Sequence, residues 1–226
     1  MPHEIYDLPK GFDGTVRLFP LPDLVVFPGV IQGLHIFEAR YCEMLEDALQ
    51  SDRLITMATL LPGSKSDYYG RAEIDPAVCV GRVTAHQRKD DGTHDLALMG
   101  LCRAAIVEEM PLERAYRQAT VQVVADCEPP LGESATQRVA AELAECLRNR
   151  VAGAESLVHE FLRGEISMGR LTDIIAFHLP LETKVKLQLL SRADVLQRAE
   201  ALLEHLTQPA RPRNSAGSFP PEFSPN

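Results

Sequence analysis

The stretch Leu18–Leu49, LFPLPDLVVFPGVIQGLHIFEARYCEMLEDAL, decides the fold. Pro20, Pro22 and Pro28 have no backbone N–H to donate, so they fit poorly inside a central strand or a helix. The apolar pieces between them must be short: Val16 to Phe19, Leu24 to Phe27 and Leu34 to Phe37. Gly29 and Gly33 permit bends between those pieces. From Arg40 to Gln50 the period changes. Tyr41, Met44, Leu45, Ala48 and Leu49 share one face at helical spacing, and Glu43, Glu46, Asp47 and Gln50 fill the other. Phe37 is expected to occupy a core site.

Downstream of that helix the strand signal returns. Leu54 to Leu61 is an apolar run that stops at Pro62-Gly63, and residues 62 to 75 read as a polar surface loop. Val78 to Arg88 is a strand, Asp90-Asp91-Gly92 a hairpin turn, and His94 to Met99 the returning partner. Cys102 to Met110 reads as a further strand after Gly100. Ala119, Val121 and Val123 alternate with Gln118, Thr120 and Gln122, as in a half-buried strand.

After Pro129-Pro130 the period becomes 3.6. Ser134 to Val151 is rich in good helix formers. Gly153 separates it from Ala154 to Arg163, and Gly164 ends that second helix. Ser167 is placed to cap a third helix that stops before Pro180. Thr183 to Leu190 is a fourth. Ser191, with Asp194 three residues on, suggests a cap for the last helix, whose stripe is Val195, Ala199, Leu202, Leu203 and Leu206. The expected class is therefore α+β. A curled, mostly antiparallel β-subdomain over 15–128, carrying one helix, precedes a helical bundle over 133–207. Residues 1–14 read as a loose end. Residues 208–226, with five prolines, read as a disordered tail.

Three blocks of this sequence resemble the N-terminal domain of Lon proteases. The first is Phe19-Pro20-Leu21-Pro22, Val25-Val26-Phe27-Pro28-Gly29, Leu34-His35-Ile36-Phe37-Glu38 and Arg40-Tyr41. The second is Val80-Gly81-Arg82-Val83 followed by Asp91-Gly92, Gly100 and Arg103. The third is Leu171 to Pro180 with the helices after it. The resemblance runs from about Val16 to Leu206 and implies the same two-part layout. It also implies a non-catalytic module that binds polypeptide substrates, or serves a protease or ATPase partner encoded elsewhere. The alternative is a peptidase-class enzyme or a component of ATP-dependent proteolysis.

Composition narrows the function classes. The chain has 226 residues and a formal net charge of −9, without a basic stripe of the kind that neutralises phosphates, so nucleic acid is not an expected partner. Hydrophobic residues make up 45%, and no apolar run nears the ~20 residues of a membrane span, so no membrane partner is expected. The N-terminus lacks the basic-then-apolar pattern of a secretory signal, and cytoplasmic residence is the expectation. Cys42, Cys79, Cys102, Cys127 and Cys146 are never spaced as CxxC, which fits reduced thiols rather than zinc ligands.

Chemistry-bearing motifs are sparse. No GxxxxGK[ST] loop and no GxSxG elbow occur, and the chain ends at Asn226, before the ATPase and Ser–Lys modules of a full-length Lon protease would begin. Ser64-Lys65 is the sole adjacent Ser–Lys pair, in a polar loop. His86 and His94 flank the hairpin: a two-residue turn places them on opposite faces, a three-residue loop on one face about 7 Å apart. Two such residues without a third make a poor metal site, and no catalytic residue, metal or cofactor is expected. Tyr68 and Tyr69, adjacent aromatics in a polar loop, are candidates for contact with peptide, as are Arg40 and Tyr41 at the helix start. A groove between sheet and bundle, or an open sheet edge, would supply the affinity. A homodimer is a further possibility.

Overall fold

A computed structural model describes residues 8–61, 72–129, 134–150 and 153–207. Residues 1–7 of the expected loose start and all of the expected Pro-rich tail, 208–226, lie outside the described residues. The strands are β1 (Thr15–Leu21), β2 (Ile31–Ile36), β3 (Leu54–Thr59), β4 (Ala77–Arg88), β5 (His94–Glu109) and β6 (Gln118–Val123). Helix α1 (Ala39–Leu49) lies between β2 and β3. The helices α2 (Ser134–Arg150), α3 (Glu155–Leu162), α4 (Met168–His178), α5 (Thr183–Leu190) and α6 (Val195–Thr207) follow the strands. The class is α+β.

The sheet order is β2-β5-β4-β3-β1-β6, and β6 also pairs with β5. That last pairing closes β5, β4, β3, β1 and β6 into a barrel, leaving β2 attached outside it along the first half of β5. Only β1 and β3 run parallel among these pairs. Pro20 is tolerated in β1 because that end of the strand pairs with β3 alone; β6 is matched only to Thr15–Arg17. Leu24–Phe27 forms no strand, and its last carbonyl lies against Gly100 of β5.

Alternation along each strand sorts the side chains into two cores. Val16, Leu18, Leu54, Val78, Val80 and Val121 fill the barrel. Phe19, Phe27, Ile55 and Leu98 face outward and join a second core shared with α1 and the helical bundle. Tyr41, Met44, Leu45 and Ala48 of α1 are buried there. In the bundle Leu143, Leu171, Ile175 and Leu202 are fully buried.

Three differences from the sequence reading have physical causes, and one alternative it left open, the hairpin loop, is settled. Phe37 is 63% exposed rather than buried. The alternation of β2 turns Leu34 and Ile36 toward the core, which sends His35 and Phe37 out. β5 passes through Gly100 without a break, because the missing side chain is what lets the chain cross: a Cβ there would collide with the Phe27 carbonyl. Gly29 N–H donates to Gly100 C=O at 2.8 Å, and Gly100 N–H donates to Val30 C=O at 2.9 Å. The hairpin is the three-residue form, closed by Lys89 N–H donating to Thr93 C=O at 2.8 Å. His86 and His94 therefore share a face, and their rings stack with centroids 5.3 Å apart and Nε2 3.1 Å from Nδ1. Finally, Asp194 rather than Ser191 caps α6, its Oδ1 accepting from Gln197 N–H at 2.9 Å; Ser191 closes the C-terminus of α5. Ser167 caps α4 as its position suggests, its hydroxyl oxygen accepting from Arg170 N–H at 3.2 Å.

Candidate functional site

A cleft of about 640 Å³ opens where α5 lies against the barrel. Its barrel wall includes Leu60, Leu61, Pro76, Ala77 and Ala105, and its helical wall Leu187, Gln188 and Leu190. The space exists because alanines stand where β4 and β5 meet α5. Ala77 and Ala105 are cross-strand partners, and neither reaches far enough to fill the gap. The rim is polar: Asp23 and Asp75 on the barrel side, Thr183, Lys184 and Ser191 on the helix. Asp75 is tied down through its Oδ1, which accepts from Ala77 N–H at 2.8 Å. Asp23 holds φ +56, in the left-handed region. An apolar floor with a few convergent polar groups suits a ligand that carries apolar side chains on a polar main chain.

The two walls are fixed by a buried charge cluster. Arg103 projects from β5 between barrel and bundle. Its Nη2 lies 2.5 Å from Asp173 Oδ2 on α4, and its Nε 2.8 Å from Asp126 Oδ1. Arg198 on α6 completes the cluster, its Nη2 2.6 Å from Asp126 Oδ2 and its Nε 3.3 Å from Asp173 Oδ1. The Asp173–Arg198 contact is an ion pair at that distance without hydrogen-bond geometry. Burial pushes the Asp173 carboxyl up to about 6, against the pull of both arginines. Arg103 Nη1 also donates to Leu190 C=O at 3.4 Å, which attaches the end of α5, and so the helical wall of the cleft, to the barrel.

Of the residues singled out from sequence, the two that are described, Arg40 and Tyr41, do not line this cleft. Tyr41 is 3% exposed, its ring centroid 4.6 Å from that of Phe19, and burial pushes its hydroxyl up to about 12. Arg40 covers that ring, with Cζ 4.6 Å from its centroid, and pairs with Glu38 at 2.9 Å. Neither lines the cleft. Tyr68, Tyr69 and the Ser64-Lys65 pair lie outside the described residues. Sequence reasoning missed Asp23, Ala105 and Gln188, since no local pattern marks residues brought together from six separate segments.

Among the described residues no three His, Cys, Asp or Glu side chains are placed to hold a metal ion. All five cysteines are free. Burial raises the Cys102 thiol to about 11 and Cys79 well above the ordinary range, which suppresses the nucleophilic thiolate in both. No described helix is long and apolar enough to cross a membrane.

The family model for the substrate-binding domain of the ATP-dependent protease La (LON) matches residues 15–208. The chain belongs to the Lon substrate-binding domain family. It is 28% identical over 194 residues to the Lon protease of Heliobacterium modesticaldum, covering 84% of this chain and 23% of that protein. Against the Lon protease of Azospirillum brasilense it is 29% identical over 205 residues, covering 87% of this chain and 24% of that protein. This Lon substrate-binding domain chain thus spans about a quarter of the length of the curated relatives it matches. Two solved structures share the fold. The Lon N-terminal domain protein from Xanthomonas campestris superposes with a TM-score of 0.64 at 22% identity, over 84% of this chain and 97% of that one. The N-terminal domain of Mycobacterium avium complex Lon protease gives a TM-score of 0.64 at 18% identity, over 84% and 96%.

Proposed function

We propose that this Lon substrate-binding domain chain recognises polypeptide without chemistry of its own, seating apolar side chains in the cleft between barrel and α5. The observation that carries the reading is the cleft itself: an apolar floor of about 640 Å³ under a polar rim, at a seam held by buried ion pairs. Family membership supports polypeptide as the ligand class. Segments that unfold or that expose apolar residues are the natural occupants, and a protease or ATPase on another chain is the proposed recipient. In the sequence Tyr68 and Tyr69 fall between Leu61, which lines the cleft, and Ala72, and they are proposed to add aromatic contacts. Tyr41 is buried and Arg40 covers its ring, an arrangement that supports a role for both in holding α1.

Filling the cleft tests the reading. Ala105→Phe places a ring in the gap, and it should weaken binding of a labelled unfolded polypeptide at least tenfold in fluorescence anisotropy while the melting temperature stays close to wild type. Undiminished binding by a folded Ala105→Phe variant overturns the cleft as the site. Hydrolysis of casein or turnover of ATP by the purified chain above background overturns the non-catalytic reading.

A further inference from the structure

The outer edge of β2 is unlike the other sheet margins. Among the described residues no strand pairs with it on the side away from β5. Two backbone hydrogen bonds determine which of its groups face out. Gly100 N–H donates to Val30 C=O, so Val30 points toward β5, and by alternation Gln32, Leu34 and Ile36 do as well. Lys89 N–H donates to Thr93 C=O, so Thr93, Asp95 and Ala97 point toward β4, leaving His94, Leu96 and Leu98 for β2. The two assignments agree. The main-chain groups of Ile31, Gly33 and His35 are turned outward.

Among the described residues, the strand itself carries none of the usual features that blunt an edge. The strand IQGLHI holds no proline, lysine or carboxylate. Ile31 is 58% exposed, and Phe37 lies just beyond the strand on the same face, its ring stacked on His35 with centroids 6.0 Å apart. Gly33 at the middle of the strand has no internal reason to be glycine. Its φ is not positive, and a Cβ built there would meet nothing within 4 Å. A glycine inside a strand that neither turns the chain nor relieves a clash fits the close approach of another backbone. Its carbonyl meanwhile accepts from the Gln32 side-chain amide at 2.6 Å, a contact that an incoming N–H would replace.

We propose that the β2 edge is a second binding site, where an extended polypeptide adds a strand to the sheet and lays alternate apolar side chains against Ile31 and Phe37. This rests on the polypeptide-binding reading above and adds a site remote from the cleft, recognising main chain rather than side chain. Main-chain pairing is tolerant of sequence, as a receptor for varied segments requires. A second copy of this chain is the weaker occupant. Six residues span roughly 20 Å, and one such strand pair is narrow beside the ~1,200–2,000 Å² of a stable interface.

The test uses reduced, carboxymethylated ribonuclease A, a permanently unfolded chain, with the whole 226-residue chain. On saturating wild type with this probe, amide hydrogen exchange should slow at least fivefold at Ile31, Gly33 and His35, while Gln32, Leu34 and Ile36, already bonded to β5, stay unchanged. Unchanged exchange at the three outward amides overturns the proposal. Gly33→Pro removes one outward donor without touching the β5 ladder and should weaken binding about tenfold. A folded Gly33→Pro variant that binds within twofold of wild type also overturns it; should that variant fail to fold, the exchange result on wild type decides. Loss of binding in Ala105→Phe alone supports the cleft and sinks the edge. No binding by wild type sinks both. Slowing of the same three amides with rising protein concentration and no probe makes the occupant a second copy, and overturns the polypeptide.

Discussion

Arg103 on β5 and Asp173 on α4 form an ion pair at 2.5 Å with both side chains only 2% exposed, and it joins the barrel to the bundle. Removing one member leaves the other charge buried and short of a partner. Such losses cost about 3–5 kcal/mol, far more than the net worth of the pair itself. Arg103→Met should therefore destabilise the chain by about that amount in urea melts. It also releases the Leu190 carbonyl that anchors α5, so polypeptide binding at the cleft should weaken in the same variant. A loss below 1 kcal/mol would mean that the seam is held by apolar packing alone.

The same cluster predicts a pH dependence. The Asp173 carboxyl titrates near 6 in the folded chain, against 3.8 for the free side chain, because burial outweighs the attraction of Arg103 and Arg198. Between those two values the folded state holds a proton that the unfolded state has released. The contribution of Asp173 to stability is then fullest below about pH 4 and is lost as pH rises through 6. Asp173→Asn cannot titrate, so wild-type stability minus that of Asp173→Asn should fall from pH 4 to pH 7. A difference that rises over this range would show that the arginines dominate.

Gly100 and Gly33 make a contrasting pair of glycines. At Gly100 a methyl group meets the Phe27 carbonyl, on a segment whose next residues, Gly29 and Val30, are hydrogen-bonded to Gly100 itself. Gly100→Ala should cost about 1–3 kcal/mol or more as an overpacked site that cannot yield. Gly33→Ala meets open space and should lie within about 0.5 kcal/mol of wild type, since a strand glycine gains from added rigidity. Thermal melts of the two variants read out the difference, and equal losses would contradict the placement of Phe27 over Gly100.

Much of the fold was legible where the period was long. The stripe from Tyr41 to Leu49 gave α1, and Thr183–Leu190 marked α5 to the residue. Short apolar runs carried no phase. Leu34 to Phe37 is apolar enough to bury either parity, and only the pairing of Ile36 with His94 of β5 settles which side faces the core. The cleft was illegible for a different reason: its walls are small residues from distant segments, and what matters at Ala77 and Ala105 is the volume they leave empty. The Arg103–Asp173 pair was hidden likewise, because 70 residues separate its members.

That lost phase yields its own prediction. Ile36→Ala empties a buried site and should cost about 2–5 kcal/mol. Phe37→Ala, at a position mostly open to solvent, should cost under 1 kcal/mol yet weaken polypeptide binding at the β2 edge. Equal destabilisation by the two substitutions in urea melts would place the β2 register one residue out.

Helix capping separates two neighbouring residues that sequence alone treats alike. Asp194 Oδ1 accepts from Gln197 N–H at 2.9 Å, and its Oδ2 accepts from the Gln197 side-chain amide at 3.1 Å. Asp194 also bridges to Cys127, tying the start of α6 to the end of the β-region. Ser191 donates only to the Gln188 carbonyl, one turn back within α5. Asp194→Ala should therefore cost about 1 kcal/mol, in the usual range for a lost N-cap, and Ser191→Ala less than about 0.5 kcal/mol. Because the cap acts through its carboxylate, Asp194→Asn, which still accepts from a backbone N–H, should recover most of the loss. Failure of asparagine to recover it would assign the effect to charge at the helix N-terminus rather than to the hydrogen bond.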